Sequence, residues 1–187
     1  ADQTNNPVSP EQQSEAIKSL LRPNDTFVRL NENIGYPGAM NTAVSRGTSQ
    51  YVLILTSDVY LEPNAIQVMA RELDDNEKIG IVAPLLMFPL EESPHGPPGG
   101  VQSAGIAFDI QGNPFHIFIG WTPENPRVNK RREMQAVTGA CFMTRRTLWN
   151  QIGGFSQVYG AGTYEDIAFC FAVRSLSYTV VFNPTSR

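Results

Sequence analysis

Two acidic positions in this sequence are placed to do chemistry. The first is Asp58, in Leu55-Thr56-Ser57-Asp58-Val59, directly after the apolar run Tyr51-Val52-Leu53-Ile54-Leu55. An acid just past a buried strand sits where open α/β sheets take their ligands, at the carboxyl ends of strands. A carboxylate there can hold a Mg²⁺ or Mn²⁺ that bridges a diphosphate, because such an ion takes most of its shell from phosphate oxygens and water. The ion would neutralise charge developing on a departing diphosphate. The plainer reading is that Asp58 caps a turn, or the helix that starts near Pro63. The second position is Tyr164-Glu165-Asp166, just after Gly160-Ala161-Gly162. Transfer of a group to a hydroxyl needs a base for the acceptor proton, and a carboxylate can serve. The glycines would let a substrate approach the backbone closely. The plainer reading is that acids in a first helical turn meet the helix dipole favourably.

Other segments could frame such a site. Asn31-Glu32-Asn33-Ile34-Gly35-Tyr36-Pro37-Gly38, with Asn41 one turn later, joins a strand pattern to a helix pattern. The free N–H groups of a helix start suit a phosphate. The segment lacks the Gly-Lys-Ser/Thr ending of a P-loop, and a plain loop with a capped helix accounts for it equally. Val137-Thr138-Gly139-Ala140-Cys141 puts small residues in a strand pattern, where another backbone or a ligand can come close; packing explains it as well. Gly153-Gly154-Phe155 reads as a helix C-cap with Phe155 turned into the core. His95 and His116 stand alone in the sequence and read as ordinary surface or hairpin residues. Arg127, Lys130, Arg131 and Arg132 read either as part of a lid over a diphosphate or as a solvated charge run.

These positions need elements to hold them. The chain has 187 residues, 41% of them apolar and 17% charged, with a net charge of −4. The charged share is below the usual quarter or so and the apolar share is enough for a core, which together argue against a disordered chain. The absence of a basic run argues against a nucleic-acid partner, and no apolar stretch has the length of a membrane span. Cys141 and Cys170 lie inside apolar runs, so buried free thiols are expected. Ser9 and Pro10 can cap and open a helix with Ala16, Ile17, Leu20 and Leu21 on one face. Residues 26–30 read as a short strand. A helix through Met40, Ala43 and Val44 should end at Gly47. Residues 51–55 and 79–82 are continuous apolar runs of strand length, and continuity implies strands covered on both faces. Between them lies a helix with Ile66, Val68, Met69 and Leu73. Residues 89–100, rich in Pro and Gly, should be a loop. Residues 101–109 and 115–119 could form a hairpin around Gln111-Gly112-Asn113-Pro114. Residues 127–133 should be a polar, mobile stretch and 135–143 a strand, followed by helices near 145–151 and 164–176 and a last strand at 178–182. The alternation predicts one α/β domain: a mostly parallel sheet flanked by helices, with a small antiparallel part in its second half.

Each motif is common by itself, but their order is informative. Asn33-Ile34-Gly35 with Asn41, then residues 55–59, Thr138-Gly139-Ala140-Cys141, Gly153-Gly154-Phe155 and Glu165-Asp166 together resemble the family 2 glycosyltransferases, of the rhamnosyltransferase-like type. The resemblance covers nearly the whole chain. It implies a GT-A fold, a nucleotide-diphosphate sugar donor, a carbohydrate or lipid-linked acceptor, inversion at the anomeric carbon, and Mg²⁺ or Mn²⁺ as cofactor. The family's Asp-x-Asp motif falls on Thr56-Ser57-Asp58, where only Asp58 is acidic, so Asp58 takes the metal and Ser57 sits against the donor. The family's base falls on Asp166, with Glu165 beside it. Asn33, Gly35, Asn41, Gly139 and Ala140 would line the substrate pocket, and Asp2 resembles the acid that holds the nucleoside. The family's first strand and helix have no counterpart before Asp2. The implied location is cytoplasmic, at most peripheral to the inner membrane. Two rival readings stay open: a nucleotide-sugar-binding module without turnover, favoured by Thr56, and a nucleotidyltransferase with a similar sheet.

Overall fold

The computed structural model describes residues 9–92 and 94–187. The described chain opens with helix α1 (Pro10–Ser19), whose start is a capping box: the Ser9 hydroxyl accepts from Gln12 N, and the Gln12 side chain accepts from Ser9 N. Helix α2 (Gly35–Ser45) leads into strand β1 (Tyr51–Leu55), helix α3 (Ala65–Asp75) and strand β2 (Ile79–Pro84). Two short strands, β3 (Leu86–Met87) and β4 (Val101–Ser103), pair with each other. Strands β5 (Ile106–Phe108) and β6 (Pro114–His116) form a hairpin, tied at its tip by the Asp109 carboxylate, which accepts from the backbone of Gln111 and Asn113. Strands β7 (Arg132–Met134) and β8 (Cys141–Arg145), helices α4 (Arg146–Ile152) and α5 (Glu165–Ser175), and strand β9 (Thr179–Asn183) complete the fold.

The central sheet has the order β1-β8-β2-β9-β7. Strands β1, β2 and β9 run one way; β8, inserted between β1 and β2, and β7 at the far edge run the other way. Among the described residues β1 pairs on one side only, with β8. Both faces of the sheet are covered, as the continuous apolar runs require. Alternate residues of one strand serve opposite faces. Thus Met143 meets Met69 and Leu73 of α3, while Phe142 meets Trp149 of α4 and Phe169 of α5. Phe155 completes that aromatic cluster, 5.0 Å from Trp149 and 5.6 Å from Phe169 by ring centroids. This packing seats α5, and with it the acids at its first turn. Both cysteines are buried and free.

Three expectations change. Residues 26–30 form no strand. Among the described residues they have no strand to pair with, and Arg29 holds them instead by donating to Pro10 O and Ser14 Oγ. Residues 135–143 are not one strand. The segment leaves β7 at Met134, touches Ile106 once through Ala136, and re-enters the sheet at Cys141. Residues between spend their backbone groups on the site described below. The charged stretch 127–133 is built into the fold. Arg131 grips Glu72 of α3 at 2.8 and 2.9 Å. Arg132 donates to the carbonyls of Arg127, Val128 and Lys130 and lies 5.3 Å over the Phe118 ring. Those two guanidinium groups are therefore committed and form no lid.

Candidate active site

The site lies where β1 ends and β8 begins. Leu55 stands opposite Cys141, so the chain leaving β1 runs beside the chain entering β8. Thr56 N donates to Ala140 O at 3.0 Å, and the Thr56 hydroxyl reaches the same oxygen at 3.4 Å. Val59 N closes the next turn onto Thr56 O. Ser57 and Asp58 are left exposed at its tip, and no hydrogen bond or ion pair among the described residues uses the Asp58 carboxylate.

Gly139 joins this rim to two other parts of the chain. Its carbonyl accepts from the Tyr36 hydroxyl at 2.7 Å, and its N–H donates to Asp166 Oδ2 at 2.7 Å. A Cβ at Gly139 would stand 3.2 Å from Asp166 Cβ, so a side chain there would press Asp166 back by a few tenths of an ångström. The other oxygen of Asp166 accepts from Ile167 N at 2.7 Å. Burial nevertheless raises the Asp166 pKa above its ordinary 3.8, outweighing these two backbone donors. The carboxylate therefore takes up a proton more readily than a solvated one would. Tyr36 is held in its neutral form by burial and then by the carboxylates of Glu165, Asp166 and Asp58. Asp58 and Asp166, distant in the chain, thus act on one phenol at a single rim of the sheet.

The Gly-rich loop 160–162 packs on the start of α2. Tyr36 N donates to Ala161 O at 2.9 Å. Gly35, at φ +73°, comes so close that a Cβ would lie 2.7 Å from Gly160 O. Glu165 is buried and accepts from Thr163 N at 2.7 Å, so its local task is to shape this loop. Asn33 accepts from Gly35 N at 2.9 Å, an Asx turn that sets the entry to α2. Asn41 is set differently. Its Nδ2 donates to Phe155 O at 2.8 Å and its Oδ1 accepts from Phe155 N at 2.9 Å. Both ends of the amide are spent on the backbone, so Asn41 holds the Gly153-Gly154-Phe155 turn. The structure thus gathers Ser57, Asp58, Gly139, Ala140, Glu165, Asp166 and, through Tyr36, Gly35. Asp2 lies outside the described residues. An open groove of ≈ 460 Å³ lined by Asn41, Arg146 and Trp149 carries none of the acids. Its cation, Arg146, donates to Val44 O and Ser49 O.

Sequence reasoning missed two residues. Tyr36 sits inside a segment singled out for its Asn and Gly content, but nothing local signals that its hydroxyl reaches Gly139. His116, read as an ordinary hairpin residue, lies near enough to Asp166 for that charge to act on its ring, and burial lowers its pKa. Among the described residues no three His, Cys, Asp or Glu side chains gather to hold a metal. One exposed, unengaged carboxylate fits a hard ion that brings phosphate oxygens and water with it. It does not fit a tetrahedral zinc site.

Comparison with known proteins agrees with this geometry. Residues 4–153 match the model of glycosyl transferase family 2. An uncharacterized protein, y4gI, of Sinorhizobium fredii is 25% identical over 154 residues, covering 80% of this chain and 16% of the relative. The O-antigen biosynthesis protein RfbC of Myxococcus xanthus is 28% identical over 130 residues, covering 65% of this chain and 9% of the relative. The chain thus spans a small part of the length of these proteins. Among solved structures, GalNAc-T7 with UDP, GalNAc and Mn²⁺ superposes with a TM-score of 0.70 at 17% identity, over 95% of this chain and 34% of that one. The mannosyltransferase PcManGT of Pyrobaculum calidifontis, with GDP-Man and Mn²⁺, gives 0.57 at 17% identity, over 93% and 40%. The α/β fold is that of the GT-A glycosyltransferases, and the chain belongs to glycosyl transferase family 2.

Proposed function

We propose that this domain transfers a sugar from a nucleotide-diphosphate donor to an acceptor hydroxyl, with inversion at the anomeric carbon. The observation that carries the reading is the joint at one rim of the sheet: the turn that bears Asp58 is bonded through Thr56 to Ala140, and the neighbouring Gly139 is bonded to Asp166 and Tyr36. Asp166 accepts the proton of the acceptor hydroxyl as its oxygen bonds to the anomeric carbon. The bond from that carbon to the diphosphate breaks on the opposite face, and its electron pair leaves on the phosphate oxygen. The raised pKa of Asp166 suits this task, because a base works best when its affinity for the proton is close to what the reaction demands. Asp58 would hold Mg²⁺ or Mn²⁺, with Ser57 beside it against the donor; both solved neighbours described above contain Mn²⁺. The bound ion would stabilise the charge on the leaving diphosphate. Asn33, Gly35, Gly139 and Ala140 shape the donor pocket, while Glu165 and Asn41 position its walls. The acceptor is a carbohydrate or a lipid-linked one, as the RfbC relative suggests. No described helix is long and apolar enough to cross a membrane.

The test is a transfer assay with UDP-, GDP- and dTDP-sugars and Mn²⁺, with and without chelator. Asp166→Asn should lower transfer by about 10²-fold or more while donor affinity holds. Asp58→Asn should weaken the response to Mn²⁺. Normal transfer by Asp166→Asn would remove Asp166 as base. Tight donor binding without consumption would favour a binding module, for which Thr56 in place of an acid is the supporting observation.

A further inference from the structure

The β5–β6 hairpin brings a second polar group, His116, within electrostatic reach of Asp166. His116 ends β6 and stands opposite Ile106 of β5. Ile106 N in turn donates to Ala136 O at 2.9 Å, in the segment that continues to Gly139. Phe108 of the hairpin packs on Phe171 of α5 with centroids 5.5 Å apart. The hairpin is therefore fixed both to the segment that carries Gly139 and to the helix that carries Asp166. His116 Nδ1 lies 2.8 Å from Ser103 Oγ, and Ser103 is buried. Gly105 N already donates to that oxygen at 3.3 Å. Among the described residues no other acceptor takes the Ser103 proton; the tautomer that uses it has the hydroxyl donating to Nδ1 and the ring proton on Nε2. Nε2 has no partner among the described residues. Among the described residues no buried side-chain nitrogen or oxygen lacks one, so Nε2 opens to solvent. Asp166 is the one charge that acts on the ring.

We propose that His116 is an acceptor-recognition residue of the transfer site: through Nε2–H it donates to an oxygen of the acceptor sugar next to the hydroxyl that Asp166 receives. The inference rests on the transferase reading above and extends it by naming the group that orients the acceptor. The bonded oxygen cannot be the attacking one, because a donor there would draw off the electron pair that attacks. A neutral ring suits the task. It donates in one direction and adds no positive charge that would hold Asp166 ionised and weaken it as a base. Burial keeps the ring neutral to lower pH than a solvated histidine. The Ser103 hydroxyl fixes which nitrogen carries the proton, as a positioned partner does for functional histidines generally.

The test uses the protein with octyl glycosides of glucose, galactose, mannose, rhamnose and N-acetylglucosamine as acceptors and the nucleotide sugar it turns over. His116→Phe should raise the acceptor KM by about tenfold or more, the value of one well-placed hydrogen bond. Donor KM should stay at the wild-type value when measured well below the melt, while the melting temperature should fall by a few degrees, because phenylalanine leaves the buried Ser103 hydroxyl without its acceptor. His116→Gln, which keeps a donor N–H, should recover part of the acceptor KM. An independent arm uses the fact that the chain holds only two histidines. An NMR titration of the imidazoles should show the His116 midpoint falling in Asp166→Asn, because the carboxylate no longer favours the imidazolium. An active wild type with an unchanged acceptor KM in His116→Phe overturns this inference alone, and so does an unmoved midpoint. A wild type that neither transfers nor hydrolyses any donor removes the transferase reading as well.

Discussion

Replacing Asn41 with alanine separates two tasks that the same residue could have. The side chain makes two hydrogen bonds, to Phe155 O at 2.8 Å and from Phe155 N at 2.9 Å. Alanine would leave both backbone groups without partners. Each such loss costs about 1–3 kcal/mol when the group stays dry. Here the lower end applies, since Asn41 also lines an open groove of ≈ 460 Å³ that lets water reach the vacated space. The sum is about 2 kcal/mol. For a chain of this size that lowers the melting temperature by roughly 4–8 °C. Phe155 belongs to the aromatic cluster with Trp149 and Phe169, so the loss should extend to the seating of α5. The assay is a thermal melt of Asn41→Ala and wild type, run beside a titration with UDP and GDP. Nucleotide affinity should change little once measured well below the melt. A melting temperature within about 1 °C of wild type, together with a clear loss of nucleotide affinity, would refute the structural assignment. It would return Asn41 to the substrate-binding role suggested by its place in the motif order.

Gly35→Ala should lower stability by about 1–3 kcal/mol from the φ of +73° alone. It should also push loop 160–162 away, since its Cβ would meet Gly160 O at 2.7 Å; a melt and a transfer assay check both. The raised pKa of Asp166 fixes two signs. The acid limb of kcat/KM should lie above the ordinary 3.8, because the base must be ionised. The folded state holds this proton more tightly than the unfolded one, so stability from this group falls as pH rises from about 3.8 through the folded pKa. Asp166→Asn should flatten that fall in melts taken across pH, and an unchanged slope would count against the raised pKa. Burial pushes the thiols of Cys141 and Cys170 up to about 12. Both should resist a maleimide at neutral pH in the native state and react only on unfolding.

The sheet was readable because its signal is local and repetitive. A run such as residues 79–82 is apolar at every position, and only a strand covered on both faces accepts that. Phe155 was readable for a similar reason: Gly153, left-handed at φ +89°, ends α4 and turns the chain back toward the core. Residues 26–30 carry strand-like chemistry, yet a strand also needs a neighbour to receive its hydrogen bonds. No pattern inside five residues reports that neighbour. Residues 135–143 misled for the converse reason. Their small apolar residues suit a strand, but Gly139 gives its N–H and carbonyl to Asp166 and Tyr36 rather than to a ladder. Asn41 was legible as special but not in kind, because an amide that clamps a backbone and one that binds a ligand look alike in a sequence.

The order of the motifs carried more than any one of them because the site is made of joints between segments. Tyr36 and Gly139 are 103 residues apart, and Thr56 and Ala140 are 84 apart. Each partner has chemistry that makes sense only with the other in place. Gly139, without a side chain, lets Asp166 come close: a Cβ there would stand 3.2 Å from Asp166 Cβ. Thr56, where a second acid would be expected, turns its hydroxyl to Ala140 O and braces the rim. That leaves Asp58 as the exposed acid of its turn, so an ion held there must draw most of its oxygens from the donor and from water. Ion and donor should then bind as a unit, each weakly without the other. This coupling follows from a rim that spends one hydroxyl on its own architecture and keeps one carboxylate free.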